Sequence, residues 1–469
     1  AVATENVICT NVGLDILEKG GSAADSAIAA TICLGTVNFY ASGIGGGGFL
    51  VMRDRSGEST YINFREEAPA ASYQNMFKDD PMKAQEGGMS IGVPGELRGL
   101  ELAYQRSGKL PWKTLIEPSI QLAEQGWAIN KVFASKIASN EKYILADPTL
   151  SSVLAPNGVI LKENEWITRP TFAKTLTVLA NEGVEPFYTG WIAEELVKTI
   201  RARGGIMTME DMKSYVAKEE SPIMGTFRGY DIMTAPPPAS GSVFIAILNI
   251  LENFPPLDLK NPTDMHRLVE AFKHGFAVRG YLGDPIDPIF QNISSIALKF
   301  MQKEFAQSII PLIHDNRTYP PEYYEPSFDV LTDHGTMHVS VLTETGESVA
   351  LTSTVNLIFG SKVMDPTTGI MLNDQMDDFS IPGVSNAFGL APSPYNFVQP
   401  RKRPLSSSVP TIIQKDGSVV AVLGASGGSH ISTSTLQVLV RMLDMNMDAD
   451  DAVSSPRIHH QLLPNKVNH

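Results

Sequence analysis

The apolar residues change period partway along the chain, and that change limits the folds open to it. From about residue 95 to 215, ELRGLELAYQRSG, LIEPSIQLAEQG, TFAKTLTVLANEG and WIAEELVKTIRARGG each space their apolar residues as a helix does and close near a glycine. From 336 onward, MHVSVLT and SVALTST alternate with period two around Thr345-Gly346, the pattern of a hairpin. A further strand, SVVAVLGAS, runs on to Gly427-Gly428, and HISTSTLQVLVRML follows as a helix. Helices first and strands laid against them point to a layered α/β sandwich. A chain of 469 residues, 43% hydrophobic, can fill such a core, which excludes a disordered or coiled-coil protein. Length alone suggests about three domains, but no internal repeat or low-complexity tract marks a boundary.

The remaining segments add detail. NVGLDILEKGG closes on Gly20-Gly21, suited to the left-handed end of a helix, and Ser22 with Asp25 forms a capping box for a second helix rich in small residues. SGIGGGGFLVMRD is a glycine run feeding an apolar strand. It is not a phosphate loop, because no Lys-Ser/Thr follows the glycines. APPPASG at 235–241 is a rigid turn before the buried helix VFIAILNILENF. PTDMHRLVEAFKHGFAVRGYLGDP is an amphipathic helix stopped by Gly283-Asp284-Pro285. The Pro-, Asp- and Tyr-rich stretch from about 283 to 335 reads as an extended surface connection.

Charge and composition remove several functions. Lys+Arg 37 against Asp+Glu 51 leaves −14, and the one short basic run, Arg401-Lys402-Arg403, is broken by Pro404, so no nucleic-acid stripe exists. No window approaches 18 consecutive apolar residues. The sequence starts at Ala1, which is compatible with an upstream signal or anchor. Cys9 and Cys33 are open to two readings, buried thiols or a bridge. Asn292-Ile293-Ser294 and Asn316-Arg317-Thr318 are glycosylation sequons. The nine histidines show no HExxH and no close ligand spacing, so no metal is expected.

The junction DHG-TMHVSV bears on chemistry. A threonine can attack the carbonyl of the residue before it, most easily when that residue is glycine. Ester hydrolysis would then free the α-amine of Thr336, with a pKa near 7.7–8.0, to act as base for its own hydroxyl. Taken alone, Gly335-Thr336 reads as an ordinary step from loop to strand, since one Gly-Thr dipeptide is not a motif.

Its surroundings resemble the gamma-glutamyl transpeptidases (gamma-glutamyltransferases), of the N-terminal-nucleophile hydrolase superfamily. The resemblance is carried by GGSAADSAIAA, SGIGGGGF, NFREEAP, GVPGE and APPPASG before the junction. After it stand LTSTVNLIFGSKV, LNDQMDDFS, PLSSSVPT and GASGGSHI, in the family's order. The resemblance implies a four-layer αββα sandwich to which both sides of the junction contribute strands. It implies self-cleavage between Gly335 and Thr336 into a large region, 1–335, and a small region, 336–469, that remain one structural domain. Family members continue well past LLPN with strands and a helix, so the C-terminal end is expected to be truncated relative to them.

The resemblance makes Thr336 the nucleophile and Thr354 the hydroxyl that orients it. Gly427 and Gly428 supply oxyanion-binding N–H groups. Arg65, Ser406 and Ser407 receive the glutamyl α-carboxylate, where a planar bidentate donor suits the geometry. Asp378, Asn356 and Gln375 hold the α-ammonium; Gln375 stands where some members carry Glu. The resemblance also pairs Cys9 with Cys33 in a disulfide, which fits an extracellular or secretory-pathway location.

The implied activity is two-step. Thr336 takes the γ-glutamyl group from glutathione or a related compound and passes it to an amino acid, a dipeptide or water, with no cofactor. Two other readings stand beside it: a catalytically weak secreted homologue acting as a binding or competitor protein, and an acylase or amidohydrolase of the same superfamily. The Arg65/Asp378/Ser406/Ser407 set argues against the acylase, because it is built for a free amino-acid head.

Overall fold

The computed structural model describes residues 1–287, 289–328, 335–383 and 390–468. Among the described residues, ten strands form the two large antiparallel sheets, and Trp127–Ala128 pairs with Trp166–Ile167 in a small third one. Those of the first are β1 (Val2–Thr4), β2 (Gly47–Arg53), β3 (Ser59–Phe64), β4 (Lys218–Glu220), β7 (Met337–Leu342) and β8 (Ser348–Thr354), in the spatial order β1-β7-β8-β2-β3-β4. The second holds β5 (Ile223–Phe227), β6 (Tyr230–Thr234), β9 (Thr411–Lys415) and β10 (Ser418–Leu423), in the order β10-β9-β6-β5. Strands from before and after residue 336 are therefore neighbours in both sheets.

Alternation along β2 shows how the layers meet. Phe49 and Val51 face the second sheet, packing with Tyr61, Ala350, Met233 and Ile412. Leu50 and Met52 point the other way, into a core shared with α1 (Val7–Glu18) and α2 (Ala23–Val37). Successive side chains on a strand face opposite sides, so a strand buried on both faces reads as the unbroken apolar run seen in sequence. On the far side of the second sheet, Phe227 and Ile232 pack with α7 (Gly241–Leu251), α8 (Pro262–Arg279) and α11 (His430–Leu443). Between α2 and α7 in sequence, the helices α3 (Glu96–Ser107), α4 (Trp112–Gln125), α5 (Pro170–Glu182) and α6 (Trp191–Ala202) fall where the helical spacing places them.

Local signals hold where they were strong. Ser22 caps α2 with the reciprocal Asp25 bond, and Gly20 sits at φ 87. The β7–β8 hairpin turns at Gly346, φ 81, with Thr343 N–H donating to the Glu347 carbonyl. Cys9 on α1 and Cys33 on α2 are joined in a disulfide and fully buried.

The stretch expected to be an extended surface connection is different. It contains α9 (Ile293–Phe300) and α10 (Lys303–Ile309), and Ile293, Ala297 and Ala306 are buried. Ile293, Ile296, Ala297 and Phe300 follow helical spacing, but the flanking Pro and Tyr masked it. Residues 329–334 of that stretch lie outside the described residues. The preceding helix also ends earlier than expected, at Arg279 with Gly280 as its cap rather than at Gly283.

Candidate active site

Thr336 stands immediately before β7, and its backbone is unusual. It has φ 111, a value costly for a β-branched residue, and Gly335 before it has φ 118. A Cβ on Gly335 would lie 1.8 Å from the carbonyl oxygen of Asn356, so only glycine fits there. Pairing of Met337 with Ser353 brings the next residues, Thr336 and Thr354, side by side. The Thr336 hydroxyl donates to Thr354 Oγ1 at 3.4 Å, and Thr354 Oγ1 also accepts the Asn356 N–H at 2.8 Å. Thr336 is 8% exposed.

The carbonyl between these residues is also held. Gly427 N–H donates to the Gly335 oxygen at 3.3 Å. Gly427 and Gly428 both have positive φ, 113 and 59, which turns the chain from β10 into the start of α11.

A second cluster lies where β3 ends. Arg65 is 1% exposed; its Nε donates to the Pro404 carbonyl at 3.3 Å and its Nη2 to that of Leu405 at 3.1 Å. Nη2 also forms an ion pair with Asp378. Gln375 Nε2 donates to the same carboxylate at 2.6 Å, and Asn396 donates to the Asp378 backbone oxygen at 2.6 Å. A buried ion pair is tolerable only when its polar atoms are satisfied in this way. Oε1 of Gln375 is buried without a hydrogen-bond partner among the described residues, an acceptor open to a cationic donor.

Asn356 bridges the two clusters. Its N–H reaches Thr354, and its Nδ2 donates to the Asp374 carbonyl at 3.1 Å, next to Gln375. Ser406 and Ser407 follow the Leu405 carbonyl that Arg65 grips. Ser408 N–H donates to Ser406 Oγ at 3.2 Å, and Ser407 Oγ accepts from Arg279 at 2.9 Å. The ten residues singled out at 65, 336, 354, 356, 375, 378, 406, 407, 427 and 428 thus belong to one linked neighbourhood.

The structure adds groups that sequence reasoning passed over. Glu66 and Glu96 are fully buried, and burial raises each carboxyl to about 8. Among the described residues neither oxygen of Glu66 has a hydrogen-bond partner, and Arg65 Nη1 lies 4.0 Å away, too far to offset the lost hydration. Glu96 accepts from the Ser353 hydroxyl. Asp374 is also raised, by burial and by neighbouring Asp377. Position in the motifs NFREEAP and GVPGE was the only signal, and it does not reveal burial.

The sequons are peripheral: Asn292 and Asn316 are exposed. Among the described residues, no three of His, Cys, Asp and Glu cluster as a metal would need, and no helix is long and apolar enough to cross a membrane.

Comparison with known proteins adds to this geometry. Residues 9–469 match the model of the gamma-glutamyltranspeptidase family. Glutathione hydrolase proenzyme 2 of Schizosaccharomyces pombe is 44% identical over 468 residues, covering 99% of this chain and 76% of that one. A gamma-glutamyltranspeptidase structure from Helicobacter pylori is 31% identical and superposes with a TM-score of 0.64, over 68% of this chain and 93% of the other. A cephalosporin acylase from Bacillus halodurans shares the fold at a TM-score of 0.87, with 24% identity, over 98% of this chain and 83% of the acylase. With a whole-chain match of this kind on either side of Thr336, the chain belongs to the gamma-glutamyltranspeptidase family.

Proposed function

We propose that this chain is a glutathione hydrolase and γ-glutamyl transferase, matured by cutting itself between Gly335 and Thr336. The observation that carries the proposal is the treatment of that one peptide bond. Its carbonyl is held by the Gly427 N–H, its threonine is bent to φ 111, and the Thr336 hydroxyl rests on Thr354.

In the first stage Thr336 Oγ attacks the Gly335 carbonyl carbon. The C–N bond breaks, the nitrogen takes the hydroxyl proton, and an ester joins Gly335 to Thr336 Oγ. Water hydrolyses the ester, leaving a carboxylate on Gly335 and a free amine on Thr336. That amine then serves as base for its own hydroxyl. In turnover the hydroxyl attacks the γ-carbonyl of glutathione, and the Gly427 and Gly428 N–H groups receive the oxyanion. The departing amine takes a proton, and water or an amino acid or dipeptide displaces the γ-glutamyl ester.

The substrate head enters as a zwitterion. Arg65, Ser406 and Ser407 meet its α-carboxylate; Asp378, Gln375 and Asn356 meet its α-ammonium. The Arg65–Asp378 ion pair gives way to these two charges, so substrate replaces each buried partner with another of the same sign.

In this reading the two sheets and their covering helices form the four-layer αββα sandwich, as one domain made of a large and a small subunit. The Cys9–Cys33 disulfide supports an extracellular or secretory-pathway setting.

A denaturing gel run beside a γ-glutamyl-anilide release assay tests the proposal. The expected result is two fragments with anilide release, and one intact chain without release for Thr336→Ala. A Thr336→Ala protein that still divides at 335/336 would overturn the self-cleavage.

A further inference from the structure

α8 ends on a buried cation that the mechanism above does not use. Arg279 is 5% exposed, and its Nη2 donates to Ser407 Oγ at 2.9 Å. Its Nε reaches Ser240 Oγ at 3.4 Å. Ser240 in turn holds the serine turn from both ends: its hydroxyl donates to the Ser406 carbonyl at 2.6 Å, and its N–H to the Ser408 carbonyl at 3.0 Å. The Ser407 backbone is held as well, its carbonyl accepting the Ser432 hydroxyl at 3.1 Å.

The direction of the Arg279–Ser407 bond is fixed by chemistry. A guanidinium has donors and no acceptor, whereas a hydroxyl has one proton and two lone pairs. Ser407 must therefore accept from Arg279, and its own proton is turned toward another acceptor. A hydrogen bond from a cation also polarises that O–H, making it the stronger donor.

We infer that Arg279 is a positioning residue that commits the Ser407 hydroxyl to donating to the α-carboxylate of the γ-glutamyl substrate. The inference rests on the reading above, in which Ser407 meets that carboxylate. It goes beyond that reading in assigning the discrimination between a carboxylate and an uncharged carboxamide partly to a residue 128 positions away. A carboxylate accepts from Ser407 in any orientation. A carboxamide can present its NH2 group, which a committed donor rejects.

The test uses the full chain, with L-γ-glutamyl-p-nitroanilide and the analogue whose α-carboxylate is a carboxamide. For Arg279→Met, losing one charge-assisted hydrogen bond should raise KM for the carboxylate substrate about tenfold with kcat nearly unchanged. The carboxylate-to-carboxamide ratio of kcat/KM should fall by the same factor. Arg279→Lys should restore part of that ratio, and Arg279→Met combined with Ser407→Ala should lose no more than Ser407→Ala alone.

A fall in kcat/KM that is equal for both substrates would overturn the inference, because a packing role acts on both alike. Full additivity with Ser407→Ala would overturn it too. If Arg279→Met does not fold, the ratio for Arg279→Lys decides: an unchanged ratio overturns the inference, and a lowered one supports it. Absence of anilide release by the unmodified, cleaved chain would instead overturn the proposed function.

Discussion

The backbone N–H of Gly427 lies 3.3 Å from the carbonyl oxygen of Gly335. In sequence these residues belong to different motifs. In space the donor meets the carbonyl directly before the proposed nucleophile. A donor already aimed at a carbonyl costs no reorganisation when charge develops on it. The same N–H can therefore serve the chain's own peptide bond first and substrate carbonyls afterwards.

That carbonyl stays in place only while residue 335 is glycine. In Gly335→Ala the new Cβ would collide with the Asn356 oxygen, and φ 118 would be strained for alanine. The peptide must shift, and misplacement of about 1 Å can cost on the order of 100-fold in rate. The expected outcome is a folded, single-chain protein that divides at least tenfold more slowly, followed as fragment appearance on a denaturing gel.

Thr354→Val keeps the shape of the side chain and removes its oxygen. Thr336 Oγ and the Asn356 N–H then both lose their partner. A buried group left unpaired costs about 1–3 kcal/mol, which predicts a fall in kcat of about 10- to 100-fold. KM for the glutamyl donor should stay within about twofold, because Thr354 meets the head-group residue Asn356 at its backbone N–H, while the Asn356 side chain stays held by the Asp374 carbonyl. Steady-state kinetics with a γ-glutamyl anilide separates the two.

Glu66 gives the site a pH dependence. Its carboxyl, raised to about 8 by burial, is uncharged at neutral pH and becomes an anion above that value. The new charge faces Arg65 and competes with the substrate carboxylate for it. KM for the donor is therefore expected to climb as pH passes about 8, and Glu66→Gln should flatten the climb. Measuring KM from pH 6.5 to 9.5 in both proteins checks this; parallel profiles would remove Glu66 from the explanation.

Glu96 affects stability instead. In the unfolded chain its carboxyl ionises near 4.5, and in the fold near 8. The folded state therefore holds the proton more tightly. The contribution to stability is full below pH 4.5, is lost as pH rises to about 8, and is constant above that. The loss is on the order of 5 kcal/mol. Glu96→Gln, which mimics the neutral acid, should have a Tm that declines less across that interval than the parent's, measured by thermal melting.

The legible parts of the molecule were those written in neighbouring residues. The Ser22–Asp25 cap and the turn at Gly346 needed only a few positions, and both stand where the sequence put them. The helices at 293–309 were missed because Pro and Tyr on either side outweighed a short run of helical spacing. Thr336, Arg65 and their companions were named through resemblance, and local pattern alone would have left Gly335-Thr336 as a loop end.

Arg279, Glu66 and Glu96 were silent for a different reason. A charge on an amphipathic helix or at a strand end normally faces water. These three are buried by segments far away in sequence, so their environment exists only once the chain has folded.

The alternation of strands within the sheets has one more consequence. β7 lies between β1 and β8, β8 lies against β2, and β9 lies against β6. A break before Thr336 severs the polypeptide without opening any of these seams. To part, the two pieces would have to unzip both sheets at once, so their dissociation is global unfolding. They could not then swap partners between molecules, and each nicked protein would keep for life the half it was synthesised with.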